Sequence, residues 1–147
     1  MGIPEDILVT EAMLAEWIKN QQEVPRTEYV LLVEDLKGIF IGVVAIWHIN
    51  FKFKSAEIWY KLHPDYWGKG IGTEAAMALI NFGFSTLNLH RIEAGCAVQN
   101  IASARILEKV GMTREGGKRK ALPIRGEWID NYEYAILEED WEILKKD

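Results

Sequence analysis

The chain has a single cysteine, four prolines and, within its 147 residues, no apolar run approaching the ~20 that cross a bilayer. With only Cys96 available, an internal disulfide is excluded, and the apolar, strand-like surroundings of this residue fit a buried, inert thiol better than a nucleophile. The first residues lack the basic start and apolar centre of a secretory signal, so a cytoplasmic protein is expected. Basic residues are the scarcer charge: 17 Lys and Arg stand against 22 Asp and Glu, a net charge of -5. Binding to nucleic acid or to an anionic membrane draws on a basic surface for counterion release, so neither partner is expected. An acidic balance suits cationic substrates instead. No metal site is expected.

Hydrophobic residues make up 49% of the chain, enough at this length for one globular domain, residues 1–147, with a substantial core. Thr10 is placed to cap a first helix in which Leu14, Trp17, Ile18 and Gln21 recur at helical spacing, ending before Pro25. Tyr29 to Glu34 reads as a strand, Asp35 to Gly38 as a hairpin turn and Ile39 to Ile49 as a long β-rich run. A second strand pair is expected between Phe51 and Leu62, where Ala56, Ile58, Tyr60 and Leu62 alternate with Glu57, Trp59 and Lys61. Ala75, Ala76, Leu79, Ile80 and Phe84 then form the apolar face of a helix running to about Thr86, and Arg91 to Val98 is the next strand. Asn100 caps a second helix whose Ala104, Leu107 and Val110 face inward, with Gly111 ending it. Two β-rich segments, near Arg119 to Leu122 and Trp128 to Leu137, finish the chain. This order predicts an α+β domain, or an α/β domain with a mixed sheet.

Between the strand ending at Leu62 and the helix beginning near Thr73 lies the run Tyr66-Trp67-Gly68-Lys69-Gly70-Ile71-Gly72-Thr73-Glu74-Ala75. A glycine-rich turn in that place aims backbone N–H groups and a helix N-terminus at one spot, which makes a phosphate cradle. The glycine spacing is not that of a dinucleotide-binding loop, and no Gly-Lys-Ser/Thr closes a Walker A loop. A tight turn with no ligand is the plain alternative.

The turn Trp67-Gly68-Lys69-Gly70-Ile71-Gly72 resembles the Gln/Arg-x-x-Gly-x-Gly/Ala loop of the GCN5-related N-acetyltransferases (GNAT). Asn100-Ile101-Ala102-Ser103 followed by Leu107-Glu108-Lys109-Val110-Gly111-Met112 resembles their second motif, and the two stand in the right order. Ala56-Glu57-Ile58, the Gly-Lys-Gly-Ile-Gly-Thr-Glu-Ala form of the loop and Leu89-His90-Arg91-Ile92-Glu93-Ala94 point to the RimJ/RimL-like branch, which includes ribosomal-protein N-acetyltransferases. The resemblance runs from about Thr10 to Trp141. It implies a mostly antiparallel central sheet flanked by helices and splayed where acetyl-coenzyme A binds. It also implies a cosubstrate site made of Lys61 and Leu62 on the strand, Trp67, Gly68, Lys69, Gly70, Ile71, Gly72 and Thr73 in the turn, and Asn100 and Ser103 beside it. Trp67 stands where the family has Gln or Arg, a change of little cost if that residue serves through its backbone. The branch opens with a strand and a helix ahead of the helix at Thr10; here they are expected to be missing, or the chain to begin at an internal start, leaving a sheet edge that a second copy covers in a homodimer.

Acetyl transfer from a thioester to an amine needs a base for the amine proton and an acid for the departing sulfur. Glu57, on the strand leading into the turn, is the expected base, with a solvent-exposed residue paired to a lysine as the bland alternative. Ser103 matches the family serine that meets the coenzyme A sulfur, and it equally fits the cap of the Asn100 helix. A tyrosine found later in that helix in many members is replaced by Leu107, and a glutamate after Glu115-Gly116 by Leu122. His48 and Asp130 are expected near the acceptor. The expected activity is acetylation of a primary amine, either a peptide or protein N-terminus or a small molecule, by direct attack in a ternary complex. The competing reading is a non-catalytic acyl-coenzyme A sensor.

Overall fold

The computed structural model describes Lys19 and residues 25–146. The helix expected from Thr10 therefore lies, except for Lys19, outside the described residues. Among the described residues six strands form one sheet in the order β1-β2-β3-β4-β6-β5: β1 (Tyr29–Glu34), β2 (Phe40–Asn50), β3 (Ser55–Leu62), β4 (Arg91–Ala97), β5 (Thr113–Ile124) and β6 (Glu127–Leu137). All neighbouring pairs are antiparallel but β3 and β4. Those two are joined through α1 (Ile71–Ser85), and α2 (Ile101–Lys109) connects β4 to β5. A mixed α+β architecture with a mostly antiparallel sheet is thus what forms.

Local chemistry sets the hairpins. The Asp35 carboxylate accepts from the N–H groups of Lys37 and Ile39 at 2.8 and 2.9 Å, closing the β1–β2 turn. Asn50 does the same for Lys52 and Phe53, each at 3.0 Å. Residues 51–54 are thereby consumed as a turn, so the interval from Phe51 to Leu62 holds one strand, β3, and not the expected strand pair.

The core sits mainly between the sheet and the helices. Ile46, Ile58, Ile80, Ile92, Leu107 and Ile136 are each nearly inaccessible there, and full burial of such a side chain stabilises by about 1.5–3 kcal/mol. On the other face Val43, Ala45 and Trp59 make a smaller cluster with Trp47 against it. Cys96 belongs to the helix-side core, where burial pushes its thiol pKa up, as an inert cysteine requires.

The C-terminal end departs from the sequence reading. β5 spans twelve residues, far beyond Arg119 to Leu122, and is almost wholly exposed; its glycines and charges carry little strand signal, and pairing with β6 decides its conformation. After β6 the chain forms an unexpected helix, α3 (Glu138–Lys145). The Asp140 carboxylate accepts from the Leu137 N–H at 3.0 Å, and three acidic residues occupy the positive first turn. The anchor is tertiary: buried Trp141 packs on Phe84 with ring centroids 5.2 Å apart and donates its indole N–H to Asn81 Oδ1 at 2.8 Å. Trp141→Ala is accordingly expected to cost about 3–5 kcal/mol, seen as a lower urea midpoint; a loss below about 1 kcal/mol would make α3 an ornament of the fold.

Candidate active site

The parallel pairing of β3 with β4 lasts for three residues only: Ser55 with Arg91, Ala56 with Ile92 and Glu57 with Glu93. Past that point β3 continues for five residues paired with β2, while β4 continues paired with β6. The strands have parted, and among the described residues no strand pairs with the edge of β3 that faces the gap. A cleft of about 370 Å³ occupies the opening, lined by β3, the glycine turn and α2.

The turn closes one end of the cleft. Gly70 is the N-cap of α1 at φ 81°, a left-handed conformation that glycine adopts without strain, and the helix has no side-chain cap. The first N–H groups of α1, which no helical carbonyl can reach, are thus left for a ligand. Gly72 serves contact between the two helices: a Cβ there would lie 2.8 Å from Ile106 Cδ1. Trp67 acts through its side chain as well as its backbone, since its indole N–H donates to the Leu62 carbonyl at 2.9 Å and ties the turn to the end of β3.

Of the residues expected to hold the cosubstrate, Lys61, Leu62, Trp67, Gly68, Gly70, Gly72, Thr73, Asn100 and Ser103 line the cleft. Lys69 and Ile71 are not among its lining residues, and the Lys69 ammonium lies 5.4 Å from the centroid of the Tyr66 ring. Two cations that the sequence reading passed over, Arg105 and Lys109, line it from α2. Their i, i+4 spacing puts them on one helical face with Ala102 and Ile106, a stripe that can be read from the sequence once α2 is known to border the turn.

Asn100 caps α2 by accepting the Ser103 N–H at 3.1 Å. The Ser103 hydroxyl is buried and stands 3.3 Å from the phenol oxygen of Tyr60, which reaches it from β3. Burial raises the Tyr60 pKa to about 12. Sequence periodicity placed Tyr60 in the core; nothing in the pattern showed that its hydroxyl ends in the cleft beside Ser103.

Glu57 occupies the last paired position before the strands part. Strand alternation turns it to the sheet face opposite Tyr60, with Trp59 and Trp47. Its carboxylate is half exposed and hydrogen-bonded to His48 Nδ1 at 3.0 Å, with no lysine involved. His48 stacks on Trp47 at 4.6 Å and sits at φ 50° where β2 loses register, so a bulge aims the imidazole at Glu57. Glu93, beside Glu57 in register, accepts from Arg91 Nε at 2.8 Å, and the rest of that guanidinium grips Glu115. Arg91 thereby holds the Glu115 carboxyl below its usual pKa. The Asp130 carboxylate accepts the Lys120 N–H at 2.8 Å within the β5–β6 hairpin, and its backbone carbonyl accepts the Val98 N–H at 3.0 Å just past β4.

A helix N-terminus without a side-chain cap, two cations and a strand edge that has left its neighbour in one cleft suit an elongated anionic ligand, and a carboxylate waits where the gap reaches the other sheet face. The acetyltransferase (GNAT) domain profile matches residues 3–113. Across 139 residues the chain is 39% identical to the uncharacterized N-acetyltransferase YnaD of Bacillus subtilis, covering 95% of this chain and 80% of that protein. It is 30% identical over 132 residues to the putative ribosomal N-acetyltransferase YdaF of the same organism, covering 90% and 70% of the two chains. Among solved structures, spermidine N-acetyltransferase from Vibrio cholerae in complex with CoA and spermine superposes with a TM-score of 0.83 at 27% identity, covering 92% of this chain and 79% of that one. A dodecameric structure of that enzyme superposes with a TM-score of 0.79 at 28% identity, covering 87% and 75%. The chain belongs to the GNAT acetyltransferase family, whose members use acetyl-coenzyme A as the acetyl donor.

Proposed function

We propose that this acetyltransferase moves the acetyl group of acetyl-coenzyme A to a primary amine of a small cationic molecule by direct attack, with both substrates bound across the parted strands. The observation that carries this reading is the position of Glu57: it is the last residue before β3 and β4 separate, on the face opposite the cleft. An amine arriving on that face meets the carboxylate at the gap through which the donor is reached. Gly70, Gly72, Thr73 and their N–H groups, with Arg105 and Lys109, take the diphosphate, and the part of β3 that has left β4 takes the pantetheine arm. Helix-terminal charge and backbone donors contribute about 0.3–1 kcal/mol or more to such an anion. Ser103 meets the thioester sulfur.

The cationic acceptor is favoured by the face it approaches. Glu57, Glu93 and Glu133 project there from β3, β4 and β6; Arg91 engages Glu93 and Lys118 stands 3.6 Å from Glu133, so Glu57, bonded to His48, is the carboxylate most open to a cation, and the chain carries a net charge of -5. The polyamine named for the Vibrio cholerae neighbour fits the same preference. A protein N-terminus is the second acceptor class, and the similarity to a putative ribosomal N-acetyltransferase supports placing the chain in the RimJ/RimL-like branch. The dodecameric neighbour supports assembly of this chain with copies of itself. His48 acts with Glu57, orienting its carboxylate or passing on its proton.

Glu57→Gln is expected to lower kcat by about 10²–10⁴-fold with coenzyme A affinity unchanged, measured as thiol release against a panel of polyamines and peptides. Full activity in that variant would remove Glu57 from the chemistry, and no release from the native protein with any acceptor would favour the sensor reading. Gly70→Pro, which forces φ from 81° to about -65°, is expected to abolish coenzyme A binding in calorimetry while circular dichroism stays native. Unchanged affinity would take the turn out of the donor site.

A further inference from the structure

The helix position at which many GNAT enzymes carry a tyrosine is Leu107 here, and Leu107 is fully buried in the core. A phenol nevertheless reaches the cleft, from β3. Tyr60 and Ser103 are 6% and 4% exposed, both line the cleft, and their oxygens are 3.3 Å apart. One hydrogen lies between the two hydroxyls, so the other is left to point elsewhere. A phenol is the stronger acid of the two and therefore the better donor, while an aliphatic hydroxyl is the better acceptor. The Ser103 N–H is already engaged with Asn100, which fixes the first turn of α2 and with it the serine Cβ.

We propose that Tyr60 is a positioning residue for the leaving sulfur: its phenol donates to Ser103 Oγ and so directs the serine hydrogen into the cleft. This deepens the coenzyme A reading above and rests on it. When bound, the thioester supplies the acetyl group, and its sulfur takes the electron pair of the broken C–S bond. Ser103 presents a hydrogen to that developing charge, made more acidic by the hydrogen bond it accepts. Tyr60 keeps its proton throughout, because burial places its ionisation near pH 12. It acts as a fixed donor behind the serine, and no proton is lost to solvent from the pair.

The test reads the sulfur directly and needs no turnover. Coenzyme A bound to the native protein is titrated by the ultraviolet absorbance of its thiolate, and its affinity is compared with that of desulfo-coenzyme A. Tyr60→Phe is expected to raise the thiol midpoint by about 0.5–1 pH unit and to reduce the preference for coenzyme A over the desulfo form by a similar factor of about three to ten. Affinity for desulfo-coenzyme A itself should not change. Ser103→Ala should give the same shift, with the double variant no worse. A midpoint that moves in Ser103→Ala and stays put in Tyr60→Phe would overturn the proposal, leaving Tyr60 a packing residue. Replacing Tyr60 with a fluorinated tyrosine keeps the fold and strengthens the donor; it should lower the midpoint, and an unchanged midpoint there also overturns the role. Failure of the native protein to bind desulfo-coenzyme A would instead defeat the coenzyme A reading and this inference together, and it is seen before any substitution is made.

Discussion

Everything at the site follows from where β3 and β4 stop pairing. Backbone N–H and C=O groups inside a protein have to find partners, so a strand that leaves its neighbour after three residues creates demand along its edge as well as space. On the helix side of the gap stand the glycine turn, α2 and the Tyr60–Ser103 hydroxyls; on the other side stand Glu57 and His48. A donor and an acceptor can meet only because the sheet is open between them.

Several unrelated-looking contacts serve to keep it open at the right width. β4 is not left adrift by losing β3, since it pairs along its length with β6. The indole of Trp67 fixes the last carbonyl of β3 to the turn, and the absence of a side chain at Gly72 lets α1 lie against Ile106 of α2. Arg91 reaches from β4 across β6 to Glu115 on β5 and braces that side of the sheet. The helix-side core fills the space under these elements and resists any collapse that would let β3 and β4 re-pair.

Much of this was legible in the sequence. The alternation from Ala56 to Leu62, the apolar stripe of α1 and the Asn100 cap each depend on residues close together in the chain, and each formed as expected. The turn between Leu62 and Thr73 was also readable, because left-handed backbone at Gly68 and Gly70 calls for glycine there. What failed depended on distant partners. β5 was legible only near Arg119 to Leu122, because the glycines and charges before that carry little strand signal, and the rest of it is held by β6; α3 is anchored by Trp141 on α1; Arg105 and Lys109 had no role in the pattern until α2 was placed beside the turn.

The sequence by itself determined most of the element order between Tyr29 and Leu137, the glycine turn and the membership of the family, because short-range periodicity, caps and turn conformations are written in neighbouring residues. Tertiary structure alone decided that Tyr60 ends beside Ser103, that Glu57 marks the parting of the strands with His48 as its partner, and that the Asp130 carboxylate accepts a backbone N–H across the β5–β6 hairpin. Those relations join residues 9 to 43 positions apart, or turn on which face of a strand meets which helix. Periodicity says that a side chain lies on a face; only the packed sheet says what waits there.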